Sequence, residues 1–246
     1  MPAMNRIIHY GTGILFSSLL LMGCDEGKIY PDNSIDMGKV VNINVTFKGI
    51  KAYPTYNMLT LAAFGEDDEE PLLVQRLSRP SEGRKEELTM MGLPSGTKTI
   101  SVAIVAKGNT LVYKFFSKNV DLSSGDKINL SEETVDLSCY DRVQAQIFDA
   151  RCTSCHGATS ENPAGGLFLT AAKSYNALVD IPAKVTVANG KKLVIPGESD
   201  NSFLPEVLFT DISQSMQFQH MDIFSGSEAT EAANLLNAWI TNGASK

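Results

Sequence analysis

Residues 41–47 read Val-Asn-Ile-Asn-Val-Thr-Phe and alternate strictly between apolar and polar side chains. A period of two predicts a β-strand that buries one of its faces. Similar short runs follow, separated by turn residues such as those in Pro94-Ser95-Gly96. The further predicted strands are Met58–Phe64, Leu72–Leu77, Glu87–Met91, Lys98–Ala106, Thr110–Ser117 and Lys127–Leu130.

About seven short strands at this spacing predict an all-β domain, an antiparallel sandwich of the immunoglobulin-like type over residues 38–137. This range contains neither Cys nor His, and it shows no constellation typical of catalysis. The sequence leaves three roles open for the sandwich: a spacer, a docking surface, or a module that binds a glycan or a protein.

The pattern changes after Leu137. Val143, Ile147 and Phe148 have helical spacing within residues 140–151, and apolar residues recur at helical spacing over Glu228–Thr241. Gly243 then provides a stop signal for the second helix. Because a helix opens and closes this part, the sequence predicts a second, all-α domain over residues 138–246.

The pentapeptide Cys152-Thr153-Ser154-Cys155-His156 directly follows the first predicted helix. C-x-x-C-H is the attachment signature of c-type haem. Two thiols three residues apart on a helical turn can reach both vinyl groups of one haem, and the next residue places its imidazole under the iron. We therefore predict one covalent haem c, with thioethers at Cys152 and Cys155 and with His156 as the proximal iron ligand.

Three other interpretations of these residues are open. A thioredoxin-like dithiol belongs beside a βαβ unit, and the sequence predicts none here. A zinc ion could take Cys152, Cys155, His156 and His220 as ligands. A disulfide between Cys152 and Cys155 would close a small strained loop. Cys139 is left over, either as a buried apolar residue or as a partner in an intermolecular disulfide.

Residues 140–246 resemble the planctomycete-type single-haem cytochrome c domains. The ordered matches are Cys152-Thr153-Ser154-Cys155-His156-Gly157, Gly165-Gly166-Leu167-Phe168-Leu169, Ile195-Pro196-Gly197 and Leu236-Asn237-Ala238-Trp239-Ile240-Thr241-Asn242-Gly243-Ala244. The resemblance implies a cytochrome c-like fold and an apolar haem pocket. The expected lining is Phe148, Leu167, Leu169, Leu193, Ile195, Leu204, Leu208, Leu235 and Trp239.

The resemblance also implies a distal methionine ligand about eighteen residues before the tryptophan of the last helix. Met221 has that position, whereas Met216 lies five residues earlier. One departure from the family pattern is that Asp222, and not proline, follows the methionine. Met221 is therefore the predicted distal ligand, with Met216 and His220 as alternatives.

The first 23 residues combine Arg6 with a short apolar run, Ile14–Met22. That run is shorter than the roughly 20 residues that a membrane-spanning helix needs, so it is typical of an export signal. Leu21-Met22-Gly23-Cys24 resembles the bacterial lipobox, which implies a lipid on Cys24; an ordinary signal peptide is the alternative. Residues 24–37 are predicted to form a tether.

The composition fits this location. The net charge is -7 and no cluster of Lys and Arg is present, which argues against a nucleic-acid partner. The sequence predicts an electron-transfer protein of the bacterial envelope, lipid-anchored to the inner or outer membrane, periplasmic or surface-exposed, with a redox protein as partner. The alternatives are a surface-binding lipoprotein with an accessory haem domain, and a gas-binding or enzymatic haem; an electron carrier is expected rather than an enzyme.

Overall fold

The computed structural model describes residues 38–157, 161–212, 216 and 218–246. These residues belong to one compact unit, Met37–Lys246. The predicted export signal, Cys24 and the predicted tether lie outside the described residues. Among the helices of the described part, none combines the length and apolar character needed to cross a membrane.

Most of the regular structure is β-sheet. The described strands are β1 (Val40–Lys48), β2 (Met58–Phe64), β3 (Pro71–Arg76), β4 (Lys85–Met91), β5 (Thr99–Val105), β6 (Leu111–Lys114), β7 (Lys118–Asn119), β8 (Lys127–Asn129) and β9 (Glu133–Asp136). One sheet has the order β4-β1-β8, with β9 also paired to β1. The other has the order β3-β2-β5-β6, with β7 paired to β5.

The alternation in β1 places one face of this strand in the core. Val41, Ile43, Val45 and Phe47 are at most 1% exposed. They share one apolar cluster with the alternate residues of β2 and β5 in the other sheet, Leu59, Leu61, Ala63, Ile100, Val102 and Ile104. The two sheets therefore enclose the core, as the period-two pattern of the individual strands indicates.

The C-terminal part has little regular structure. Its α-helices in the described residues are α1 (Tyr140–Val143), α2 (Ser174–Leu178), α3 (Phe203–Phe209) and α4 (Gly226–Thr241). A π-helical segment, Gln144–Cys152, continues α1. Two isolated bridges, Val179 to Val194 and Pro182 to Lys192, connect the loops between α2 and α3.

The predicted fold class is wrong. Residues 138–246 do not form an all-α cytochrome c-like domain in the described part of the chain, which is mostly β-sheet with a small helical portion. Helical periodicity marks only the two end segments, and the region between them is interrupted by residues such as Gly165, Gly166, Pro182 and Pro196 that stop helices.

The predicted purely antiparallel sandwich also needs correction. β1 pairs antiparallel with β4 but parallel with β8 and β9. The prediction assumed that successive strands form hairpins. Here the chain crosses from the second sheet back to the first before β8, so β8 and β9 run in the same direction as β1.

The helical part packs directly against the sheets. Arg142 of α1 donates hydrogen bonds from Nη1 to the Ala52 carbonyl at 2.7 Å and to the Leu137 carbonyl at 2.6 Å. The carboxylate of Glu231 in α4 accepts hydrogen bonds from the backbone N–H groups of residues 55–57. One continuous apolar cluster includes both the sheet core and the helices. The division into domains at residues 137 and 138 stays a prediction.

Candidate functional site

The C-x-x-C-H pentapeptide lies at the end of the π-helical segment, on one tight turn. The backbone N–H groups of Cys155 and His156 both donate to the Cys152 carbonyl, at 3.2 and 3.0 Å. Cys152 is buried and Cys155 is exposed. Both sulfur-bearing residues and His156 line the same cavity. Three residues that are close in sequence thus present their side chains to one volume.

The His156 ring is held by a hydrogen bond to the backbone. Its Nδ1 atom lies 3.2 Å from the Leu167 carbonyl. A carbonyl oxygen can only accept, so this contact favours the tautomer with the proton on Nδ1 and the lone pair on Nε2. This arrangement is typical of a metal-binding histidine, whose second nitrogen is fixed by a backbone carbonyl or a carboxylate.

Gly157 allows the chain to turn away immediately after His156. Its φ angle is +113°, and a Cβ atom would lie 2.7 Å from the ring of Phe168. The backbone N–H of Leu169 then donates to the His156 carbonyl at 2.8 Å. The Gly-Gly-Leu-x-Leu segment that the sequence singled out therefore packs against the histidine and supplies the carbonyl that orients it.

The cavity beside these residues has a volume of about 1020 Å³ and predominantly apolar walls. Six of the predicted lining residues line it: Phe148, Leu167, Leu169, Leu193, Leu204 and Leu208. Ile195, Leu235 and Trp239 are not part of the wall. The sequence did not predict Phe203, Val207, Ile181 and Val185, which also line the cavity, because they come from loops and from a helix with no motif of its own.

The three candidate distal residues are placed differently. His220 and Met216 line the cavity. The side chain of Met221 does not contribute to the wall, and this residue is 38% exposed. His220 begins a short 3₁₀ turn, His220–Ile223, and its ring centroid lies 6.3 Å from that of His156, with 32° between the ring planes. Its Nδ1 atom is buried and has no hydrogen-bond partner in the described part.

Burial governs the protonation of the site. Burial, and secondarily the nearby Cys155 thiol, raise the pKa of Cys152 to about 12. Burial, and secondarily the neighbouring His156, lower the pKa of His220. At neutral pH the Cys152 thiol is therefore protonated and the His220 ring is neutral. Reactive redox thiols have lowered pKa values, so the dithiol interpretation is disfavoured.

Two cations lie at the cavity wall, Arg151 and Lys184. Arg151 forms an ion pair with Glu228, with 2.5 Å between Nη2 and Oε1. No carboxylate lies within ion-pair distance of Lys184 among residues 38–157, 161–212, 216 and 218–246. The apolar cavity thus has one cationic group at its wall that is available to an anionic part of a ligand.

The described residues contain no group of three or more His, Cys, Asp or Glu side chains that could together hold a metal ion. Haem iron takes at most two axial ligands from the protein, so this finding does not bear on a haem site.

No model of a known protein family matches the chain, and no curated protein matches it significantly. Among solved structures, hydrazine synthase from Kuenenia stuttgartiensis is similar over 86% of this chain, with 10% sequence identity and a TM-score of 0.27. The match covers 44% of that chain, so this chain spans less than half of its length. A similarity of this strength establishes neither fold nor function.

Proposed function

We propose that this chain is a lipid-anchored c-type cytochrome of the bacterial envelope, which carries electrons through one haem c bound in the cavity. One observation carries the proposal. Cys152, Cys155 and His156 lie together on the wall of an apolar cavity of about 1020 Å³, and the Nε2 atom of His156 is free to ligate iron.

The residues present fit a haem. The cavity volume lies at the upper end of the range for ligand sites, about 300–1,000 Å³, and the walls are mostly apolar, which suits a porphyrin. The donor set also fits, because two thiols on one turn can reach two vinyl groups while the adjacent imidazole reaches the iron. Lys184 offers a cation for a carboxylate at the rim.

Attachment needs only the two thiols of this chain. Each sulfur would form a bond to one carbon of a vinyl double bond, and the thiol proton would end on the other carbon of that bond. No electrons are gained or lost, so no oxidant is required. The hydrogen bonds from the Cys155 and His156 backbone to the Cys152 carbonyl keep both sulfurs and the imidazole in register during this addition.

A bound haem supplies iron that gains and loses one electron reversibly. The residues of this chain would hold it: the Leu167 carbonyl orients His156 through Nδ1, and the apolar walls would exclude water from the iron. Electrons then pass to and from a redox partner protein without any bond being made or broken. The proposed lipid on Cys24 keeps the protein at the surface of the inner or outer membrane, facing the periplasm or the exterior.

The full chain produced in a bacterial host that matures c-type cytochromes tests the proposal. We expect one haem per chain that stays attached on a haem-stained denaturing gel and gives the pyridine haemochrome spectrum of haem c. Replacement of both Cys152 and Cys155 by Ala removes the attached haem, whereas the matched control Cys139→Ala retains it. A colourless chain whose thiols at 152 and 155 both react with an alkylating reagent overturns the proposal.

A second function is favoured by a polar cleft far from the C-x-x-C-H turn in sequence. It has a volume of about 390 Å³ and is lined by Lys51, Tyr53, Thr55, Arg79, Asn234, Asn237, Ala238 and Thr241. Amide and hydroxyl groups beside an aromatic ring are suited to hydrogen-bond a glycan. A glycan array probed with the full chain and with Asn237→Ala tests this surface-binding role; equal binding by both proteins, or none by either, argues against it.

A further inference from the structure

We propose that His220 is the distal axial ligand, so that the iron is held between two imidazoles. This inference rests on the proposed haem function and specifies the iron site within it. The evidence is the 6.3 Å separation of the His220 and His156 rings at one cavity, the buried Nδ1 of His220 without a well-formed hydrogen bond, and the exposure of Met221.

The separation of the two rings suits one iron atom between them. Bonds from a metal to an imidazole nitrogen are about 2.0 Å long. Two imidazoles on opposite sides of one metal therefore have ring centroids about 6 Å apart. The centroids of His156 and His220 are 6.3 Å apart. This separation, which also occurs between aromatic rings in direct contact, is compatible with one metal atom between the two imidazoles.

The hydrogen bonding of His220 points the same way. Its Nδ1 atom is buried and makes no well-formed hydrogen bond within the described residues, although the backbone of Phe218 lies close enough to the ring to oppose the lowering of its pKa. Buried polar atoms in folded proteins nearly always have a partner, and an exception needs an explanation such as an ion that is not represented. Either ring nitrogen of histidine can ligate a metal. Iron in the cavity would satisfy Nδ1 of His220 while His156 ligates through Nε2.

The two methionines fit the distal role less well. Met221 is 38% exposed and does not line the cavity. Met216 does line the cavity, but it packs against the apolar core as a partly buried side chain, which is the common role of a methionine. His220 is therefore the candidate that both lines the cavity and has a buried nitrogen without a well-formed hydrogen bond.

Ligation by two histidines has two consequences. The iron is coordinatively saturated, which disfavours binding of small gases. The reduction potential is also lower than it would be with a methionine ligand, because a thioether raises the potential of haem iron.

The experiment uses the full chain with its haem attached, and compares His220→Ala with Met221→Ala as a matched control. Met216→Ala tests the other methionine that was considered as the ligand. We expect His220→Ala to convert the low-spin spectrum to high-spin and to permit rapid CO binding in the reduced state, while Met221→Ala keeps the wild-type spectrum and Met216→Ala stays low-spin. A low-spin spectrum that survives in His220→Ala and is lost in a methionine variant overturns the inference.

Two further measurements do not depend on how well His220→Ala folds. The wild-type ferric protein should lack the near-infrared absorption band of a methionine–iron bond, and its presence would overturn the inference. His220→Met should regain a low-spin spectrum with a raised midpoint potential; an unchanged potential argues against ligation by His220. The denaturing gel measures covalent haem separately. Absence of attached haem in the wild type would contradict the proposed function, whereas attached haem with a methionine-type spectrum would contradict only the assignment of His220.

Discussion

The guanidinium of Arg142 lies 3.9 Å from the carboxylate of Glu231, and the two side chains are 0% and 7% exposed. Burial lowers the pKa of Arg142 to about 10, although the negative charge of Glu231 acts to raise it. The guanidinium therefore remains charged at neutral pH. Arg142 belongs to α1 and Glu231 to α4, and both also bond to backbone near the second sheet. The pair therefore connects α1 and α4 to the β-sheets.

Replacement of Arg142 by Met should destabilise the protein by about 3–5 kcal/mol, because it leaves a buried carboxylate without its cation. The Ala52 and Leu137 carbonyls would lose their donor as well. The measurement is urea unfolding followed by far-UV circular dichroism.

A surface ion pair provides the control for this substitution. Lys192 and Asp180 are 2.8 Å apart, but their side chains are 45% and 56% exposed. Lys192→Met should therefore cost less than about 1 kcal/mol. Equal costs for the two substitutions would contradict a stabilising role of the buried pair.

Gly49 ends β1 against the start of the helical part. Its φ angle is +65°, and a Cβ atom would lie 2.4 Å from Ser138 Oγ and 2.8 Å from the Ser138 backbone nitrogen. The serine side chain can rotate away, but the backbone nitrogen cannot. Gly49→Ala should therefore destabilise the protein by the strain of a left-handed alanine plus the cost of overlap.

A substitution at Gly83 separates the strain of the backbone conformation from the cost of steric overlap. Its φ angle is +67°, and nothing lies within 4 Å of a Cβ atom there. Gly83→Ala should cost about 1–2 kcal/mol for the backbone conformation alone, and Gly49→Ala should cost about 1–3 kcal/mol more for overpacking. Thermal and urea unfolding of the two variants would measure the difference, and equal values would refute the steric contribution.

Tyr140 gives a prediction for alkaline pH. Its hydroxyl donates to Ser174 Oγ at 2.6 Å, and burial raises the pKa of Tyr140 from 10.0 to about 12. Between these values the unfolded chain loses the phenol proton while the folded protein keeps it. Tyr140 therefore contributes stability below about pH 10 that is lost as the pH rises toward 12.

Tyr140→Phe removes both the hydrogen bond and the ionisable group. At neutral pH the variant should be less stable than the wild type by about 1 kcal/mol, and this difference should shrink as the pH rises from 10 to 12. Urea unfolding at a series of pH values measures it. A difference that stays constant over this range would rule out the ionisation effect.

Local patterns in the sequence predicted the local structure. The β2 strand has the predicted bounds, because its short apolar run and the turns that flank it are sequence features. The parallel pairing of β9 with β1 joins strands far apart in the chain, and no periodicity indicates which strands become neighbours. The prediction of a helical domain was wrong for the same reason. Two amphipathic segments at the ends of a region do not specify the structure of the residues between them.

The residues of the candidate site also fall into two groups, those that local spacing predicts and those that only the fold brings together. Cys152, Cys155 and His156 share one turn, so their spacing alone brings them together. Another part of the wall depends on the His220–Ile223 turn, in which His220 and Ile223 line the cavity and Met221 does not. The family spacing selects Met221, which is 38% exposed, whereas the adjacent His220 lines the cavity. Only the three-dimensional arrangement distinguishes them.

Lys184 should tune the reduction potential of the proposed haem. Its side chain lines the cavity near Gly166 and has no ion-pair partner in the described residues. A nearby cation favours the reduced iron, which carries less positive charge, so Lys184→Gln should lower the midpoint potential. Because Lys184 is exposed to solvent, the shift should be small and should diminish at high salt.

Lys107→Gln removes the same charge from an exposed turn that does not line the cavity, and it should leave the potential unchanged. Spectroelectrochemical titrations of both variants and the wild type at low and high ionic strength provide the comparison. At low salt, Lys184→Gln must lower the midpoint potential more than Lys107→Gln does. Both substitutions change the net charge by the same amount, so an effect of net charge alone would lower the potential equally in the two variants. Equal shifts would mean that the potential responds to total charge, and that Lys184 has no particular proximity to the iron.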